Sequence, residues 1–179
     1  MQNFSEIQAL MKSDMEKTDE ILIDRLNSNV DLINQMSHYI IASGGKRLRP
    51  LLLLLSAKAT NYTGTDHHAM AVVIELIHTA TLLHDDVVDE STTRRGQDSA
   101  NELWGNAPSV LVGDFLYSRA FEIMVEPNSM AIMRILSKAT NQIAEGEVLQ
   151  LLNIRNANIS QTEYFNVIEQ KTACLFEAA

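Results

Sequence analysis

An all-α fold is what this sequence predicts. Apolar residues recur at helical spacing along nearly the whole chain. The 179 residues include only three prolines and seven glycines, and β-branched residues do not gather into strand-like runs.

The elements follow in order. Ser5-Glu6-Ile7-Gln8 carries a capping-box pattern and opens a helix with Ile7, Leu10, Met11 and Met15 on one face. A second helix runs from Val30 to Ile41 and stops at Ser43-Gly44-Gly45, because glycine ends helices easily. Pro50 suits a first turn, which makes Leu51 to about Thr60 a buried helix. Asn61-Tyr62-Thr63-Gly64 reads as a loop, and Thr65 or Asp66 caps a helix over roughly residues 66–90. Gly96 breaks the chain before a helix from about Pro108 to Val125. Pro127-Asn128 separates this from a helix covering about Ser129 to Asn153. Ser160-Gln161-Thr162-Glu163 is a capping box that starts a last helix at Tyr164, and Thr172 to Ala179 remains helix-forming. Residues 1–179 are expected to form part of one helical domain, with no repeat or linker.

Composition sets limits. Hydrophobic residues make up 46% of the chain, too many for global disorder. A net charge of −9 argues against nucleic acid as a partner. It leaves room for phosphate binding, because Lys46-Arg47-Leu48-Arg49 and Arg94-Arg95 concentrate cations locally. The single cysteine, Cys174, forms no intrachain disulfide, fits a reducing cytoplasm and reads as an inert core residue. The opening residues mix charge throughout, unlike a signal peptide. The longest apolar run, Leu51 to Leu55, is far short of the ~20 residues that span a membrane.

The chemistry concentrates in HTATLLHDDVVDESTTRRG, residues 78–96. Asp85 and Asp89 stand at i and i+4, about 6 Å apart along one helix face. At an effective dielectric of ~20 their repulsion is of order 3 kcal/mol, and Asp86 adds to it. The helix C-terminus disfavours anions as well. Two arrangements relieve these penalties. Arg94 and Arg95 can pair with the aspartates in a structural ion network. Alternatively, the carboxylates hold a divalent ion such as magnesium, which binds one or two carboxylates plus phosphate oxygens and water. The arginines then meet the phosphates of a ligand and not the aspartates.

Gly44-Gly45-Lys46-Arg47-Leu48-Arg49-Pro50 places three cations on a glycine-flanked loop beside a helix start, which favours an anion. Basic loops are often merely solvated, but alongside a metal-type aspartate cluster this one suggests two diphosphates. His78 and His84 differ by about 120° in helical angle and do not share a metal site. His78 lies two turns before Asp85, within reach of a phosphate. His67 and His68 read as surface residues. Met11, Met15, Met124, Met130 and Met133 follow helical spacing and read as core.

Taken together, GGKRLRP, LLHDDVVDESTTRRG, SVLVGDFLYSRAF, IAEGEVLQL and KTACLFEAA resemble the trans-polyprenyl diphosphate synthases along the whole chain. The resemblance implies an all-α, isoprenoid synthase-type bundle around a central cavity, a homodimer, and magnesium as cofactor. Asp85 and Asp89 match the family's first aspartate-rich motif, which binds magnesium and through it the allylic diphosphate. Arg94 matches a ligand of that diphosphate. Lys46, Arg49, His78 and Arg95 match the isopentenyl diphosphate site. Lys171 and Thr172 match residues near the allylic substrate, with Lys171 contacting its diphosphate. Ala80 and Thr81 occupy positions where bulky aromatics shorten the product. Their small size implies a long product, about eight isoprene units from a farnesyl primer, since one helical turn of ~5.4 Å matches one unit. The family also carries a second aspartate-rich motif downstream, which this sequence does not include. The expectation is therefore an activity of a complete enzyme, with little or none from these 179 residues alone.

Three other readings use some of the same residues. His38, His84-Asp85 and Asp114 imitate a histidine-aspartate metal phosphohydrolase, which leaves Asp89 and the arginines without a role. A non-catalytic subunit of a prenyl synthase would not need Asp85 to Asp89 intact. Terpene cyclisation shares the metal chemistry but has no use for Lys46 and Arg49.

Overall fold

The computed structural model describes residues 3–179, which are almost wholly helical. The chain divides into two compact units, one reaching to Met124 and one from Val125 to Ala179.

In the first unit, α1 (Phe4–Leu10) is capped by Asn3, not by Ser5. The Asn3 side chain accepts from the Glu6 backbone at 3.0 Å, and Glu6 accepts from the Asn3 backbone at 3.1 Å. The box thus sits two residues earlier than expected, since asparagine caps as well as serine and glutamate fills the third position. A single residue, the buried Met11, separates α1 from α2 (Lys12–Arg25), a break that helical periodicity did not reveal.

α3 (Asp31–Ala42) and α4 (Leu48–Ala59) flank the glycine loop. Helix α4 begins before Pro50, placing the proline inside the first turn, where its missing N–H costs nothing. α5 (Asp66–Val88) is the central element, with Met70–Ile77 buried on all sides. A helix apolar all round must be surrounded, and α2 and α4 pack against it. Met11, Leu51, Leu54 and Ala71 form a core cluster at that junction.

After α5 comes a feature the sequence reading did not foresee. β1 (Thr93–Arg94) and β2 (Gln97–Asp98) form a two-stranded antiparallel hairpin with Thr93 opposite Asp98. Its turn residues, Arg95 and Gly96, both have positive φ, 54° and 79°, as a tight two-residue hairpin turn requires. A short α6 (Ala100–Trp104) leads into α7 (Asn106–Val125).

The second unit begins with Val125 and holds α8 (Met130–Leu152), α9 (Gln161–Ile168) and α10 (Cys174–Glu177). The Ser160–Glu163 capping box is present as expected. Between α9 and α10, Glu169–Ala173 widen into a π-helical turn, which packs on α8. Cys174 is buried, in line with its expected core role, and its thiol donates to the Gln170 carbonyl at 2.7 Å.

Two burial expectations fail. His68 is buried, not a surface residue, because α2 covers it and Asp14 takes its Nε2 at 3.1 Å. Met130 is 68% exposed and contributes no core, because it opens α8 on its outer face. Met11 and Met124 are buried as expected. No helix among the described residues is long and apolar enough to cross a membrane.

Candidate diphosphate and metal site

The three aspartates of α5 divide their work. Val88 is the last helical residue and Asp89 caps the end, its N–H donating to the Asp85 carbonyl at 2.8 Å. Asp85 and Asp89 therefore keep the one-turn spacing read from the sequence, Asp85 half-buried and Asp89 exposed. Asp86 turns inward at 3% exposure. Both its oxygens accept from Arg94, Nε and Nη2 each at 2.6 Å. That hydrogen-bonded pair raises the Arg94 guanidinium above its ordinary value. Arg94 thus pairs with an aspartate, as the structural ion network requires of it. The hairpin explains how: β1 carries Arg94 back against the helix it has just left.

Opposite charges also order the glycine loop. Arg47 caps α4 in a left-handed conformation, φ 49°, and its guanidinium binds the buried Glu75 of α5 at 2.5 Å. Gly44 has φ 73° and allows the chain to turn. Arg95 lies against Gly45 so closely that a Cβ there would be 2.6 Å from its Nη1. Lys46 is exposed and Arg49 half-buried.

His78 sits among these cations. Burial first, then Arg49, Arg95, Arg94 and Arg47, push its pKa down to about 3. It is therefore a neutral imidazole at neutral pH, in a positive potential inside an acidic protein. A small cavity of ≈ 40 Å³ has Gly44, Glu75, Thr79, Asp86, Arg94 and Arg95 in its walls. One helical turn away from Asp85, Ala80 is fully buried and Thr81 half-buried, the Thr81 hydroxyl donating to the His78 carbonyl at 2.7 Å.

His84 anchors the aspartate turn to α7. Its Nε2 lies 3.2 Å from the Val110 carbonyl and 3.3 Å from Asp114 Oδ1. A Cβ at Gly113 would overlap the imidazole ring. His84 thereby pairs with Asp114, but among the described residues His38, His84, Asp85 and Asp114 form no cluster of three metal ligands.

In the second unit, Lys171 lies on the π-helical turn and its Nζ pairs with Glu147 Oε2 at 2.7 Å. Gly146 is buried against this turn, and a Cβ there would sit 2.6 Å from the Lys171 backbone nitrogen. Thr172 is exposed.

The first unit thus gathers Arg49, His78, Arg94 and Arg95 near the end of α5, with Asp85 and Asp89 on its last turn and Lys46 on the adjoining loop. The donor set suits a hard divalent ion: two carboxylates one turn apart, with an exposed partner, leave coordination positions for water and phosphate. Sequence reasoning did not single out Glu75, Gly113, Gly146 or Glu147, and it did not separate Asp86 from its neighbours as the partner of Arg94. A lone glutamate within the apolar run AVVIELI was the available signal for Glu75, since a buried carboxylate needs a cation.

The polyprenyl synthetase family model matches residues 30–179. The chain is 51% identical over 177 residues to octaprenyl diphosphate synthase of Escherichia coli K12, an alignment covering 99% of this chain and 55% of that protein. It is 42% identical over 175 residues to the all-trans-nonaprenyl-diphosphate synthase (geranyl-diphosphate specific) of Rhodobacter capsulatus, covering 97% and 54% respectively. A polyprenyl synthase from Caulobacter crescentus CB15, crystallised in complex with calcium and isoprenyl diphosphate, superposes with a TM-score of 0.96 at 47% identity. That match covers 98% of this chain and 54% of the crystallised one. The chain spans about half the length of the curated relatives it matches.

Proposed function

The chain belongs to the polyprenyl synthetase family, and on that premise we propose that it serves a trans-prenyltransferase that condenses isopentenyl diphosphate with an allylic diphosphate. The kinship with octaprenyl diphosphate synthase supports an octaprenyl product; farnesyl diphosphate as primer and a quinone side chain as destination belong to the same reading. The observation that carries the reading is local. An aspartate turn with an exposed carboxylate ends the same helix whose His78 is ringed by arginines.

Asp85 and Asp89 would hold magnesium, which when bound offsets negative charge on the departing diphosphate. Arg94 spends two of its five N–H groups on Asp86 and keeps three for the allylic diphosphate. Lys171 and Thr172 keep the roles that the family resemblance gives them, near the allylic substrate. Lys46, Arg49 and Arg95 hold isopentenyl diphosphate by charge-assisted bonds. His78, already neutral, donates a hydrogen bond to that diphosphate without first shedding a proton.

In the reaction the allylic carbon–oxygen bond breaks and its electrons leave with diphosphate. The double bond of isopentenyl diphosphate attacks the resulting cation, and a proton is lost to the departed diphosphate. The cations preorganised around the leaving group supply electrostatic stabilisation, and no protein nucleophile takes part. Ala80 and Thr81, being small, leave room for a long chain. A single buried thiol suits a cytoplasmic protein, and exposed apolar side chains along α7, such as Leu111, suit a homodimer.

Prenyl transfer from labelled isopentenyl diphosphate tests the assignment of the loop. In the protein assembled into active enzyme, Arg49→Ala is expected to raise the KM for isopentenyl diphosphate at least about tenfold, since a charged hydrogen bond contributes ~1.5–3 kcal/mol. The KM for the allylic substrate is expected to stay near its original value. An equal rise in both constants would reject the division between the two subsites.

A further inference from the structure

A second constellation lies at the opposite end of α5. His67 and His68 are in its first turn, about 25 Å along the axis from Asp85, and Asp14 reaches them from α2. We infer that Asp14, His67 and His68 form a binding site for a zinc-class divalent ion, through one ring nitrogen of each histidine and a carboxylate oxygen.

The geometry is close to what such an ion needs. The three potential ligand atoms lie within 4.8 Å of one another. His68 Nε2 and Asp14 Oδ1 are 3.1 Å apart. Zinc bonds of about 2.0–2.1 Å set tetrahedral neighbours roughly 3.3 Å apart, so this pair already spans one edge. His67 is half-buried, its ring 3.9 Å from the His68 ring and 5.5 Å from that of Tyr62. These are ring contacts and no hydrogen bond, so a modest rotation closes the third vertex.

The second observation concerns the buried nitrogens. Nδ1 of both histidines is buried without a hydrogen-bond partner among the described residues, and His68 as a whole is only 6% exposed. Buried polar atoms without partners are uncommon and ask for a reason. Neutral imidazole is the ligating form, and burial followed by the neighbouring His68 holds the His67 pKa below its ordinary value. At His68 a metal–nitrogen bond replaces the hydrogen bond to Asp14. The Nε2 proton moves to Nδ1 of the same ring, so the ring stays neutral; that buried N–H has no acceptor among the described residues, a cost the metal–nitrogen bond must exceed. The positive end of the α5 dipole opposes a cation here, while Asp14 and Asp66 offset it. Two imidazoles with one carboxylate favour zinc, cobalt, nickel or copper over magnesium. A fourth position remains for water. Such an ion would tie α2 to α5, and it uses none of the residues assigned to prenyl transfer.

Titration of the purified protein with zinc alone, in excess magnesium to occupy the Asp85–Asp89 turn, tests the site. One zinc per chain is expected, and cobalt in its place should give the intense visible bands of tetrahedral coordination. His67→Ala and Asp14→Asn should each weaken zinc binding at least about tenfold, whereas Asp85→Asn with Asp89→Asn should leave it unchanged. No zinc uptake, or uptake indifferent to His67→Ala, would overturn the assignment, as would its loss in the Asp85/Asp89 variant. His67→Ala removes no hydrogen bond and keeps the test decisive should Asp14→Asn disturb folding.

Discussion

His78 shows how strongly a single side chain reports its surroundings. Its folded pKa, about 3, lies below the ordinary 6.5. The unfolded chain therefore binds the extra proton throughout that window, and the stability His78 contributes is complete above pH 6.5 and is lost as pH falls towards 3. The loss approaches, but does not exceed, about 1.4 kcal/mol per pH unit. His78→Gln should flatten this part of an acid denaturation curve, and urea unfolding at pH 4.5 and 7 would measure it. An anion bound nearby acts in the opposite sense. Added inorganic diphosphate should raise the His78 pKa in an NMR titration, and an unmoved resonance would remove His78 from the anion site. Asp86 makes a separate prediction. Asp86→Asn leaves half-buried Arg94 without its counter-charge and should cost about 1–3 kcal/mol of stability, read as a lower Tm. This variant distinguishes the structural aspartate from its two neighbours, whose replacement should change catalysis far more than folding.

At the scale of elements, close approaches decide where the functional side chains point. Gly146 lets α8 meet the backbone of the π-helical turn that carries Lys171. Gly146→Ala would press a methyl group onto backbone atoms that cannot swing aside, costing about 1–3 kcal/mol as overpacking does. Thermal unfolding would register this, and a lost Lys171–Glu147 pair should accompany it. Helix periodicity, caps and glycine breaks made α3, α4, α5, α7, α8 and the start of α9 legible in advance, because each depends on local sequence. The hairpin at Thr93–Asp98 was hidden, since two-residue strands carry no period and Gly96 by itself signals only a break. The π-helical turn was hidden for another reason. It lies against Gly146 of α8, a long-range contact that no local pattern encodes. Asp85, Asp89 and the cations around His78 were legible because clustered like charges demand a partner. The choice of Asp86 as Arg94's partner depended on the hairpin and was not.

For the molecule as a whole, a net charge of −9 would repel diphosphates were the cations not concentrated at one end of α5. Salt should therefore weaken substrate binding through the local arginines more than through the distant surface, whose charges are screened beyond about 10 Å at 0.1 M ionic strength. Chain length of the product is a whole-molecule property too. Ala80→Tyr should shorten the product, seen by mass analysis, and because Ala80 is already fully buried the substitution should also lower Tm. Thr81→Phe, at a half-buried position, should shorten the product with less damage, and unchanged length in both variants would reject these positions as the floor of the chain's path.

The central claim is that the last turn of α5 holds, through a divalent ion, the diphosphate that leaves. Its most direct test is magnesium-dependent turnover of the active enzyme with Asp85→Asn and Asp89→Asn, followed by single-turnover formation of prenylated product. The account predicts a fall of at least about 100-fold in kcat, with folding intact and the same collapse in the parent protein under chelator. Turnover that survives either treatment at the parental rate would contradict it.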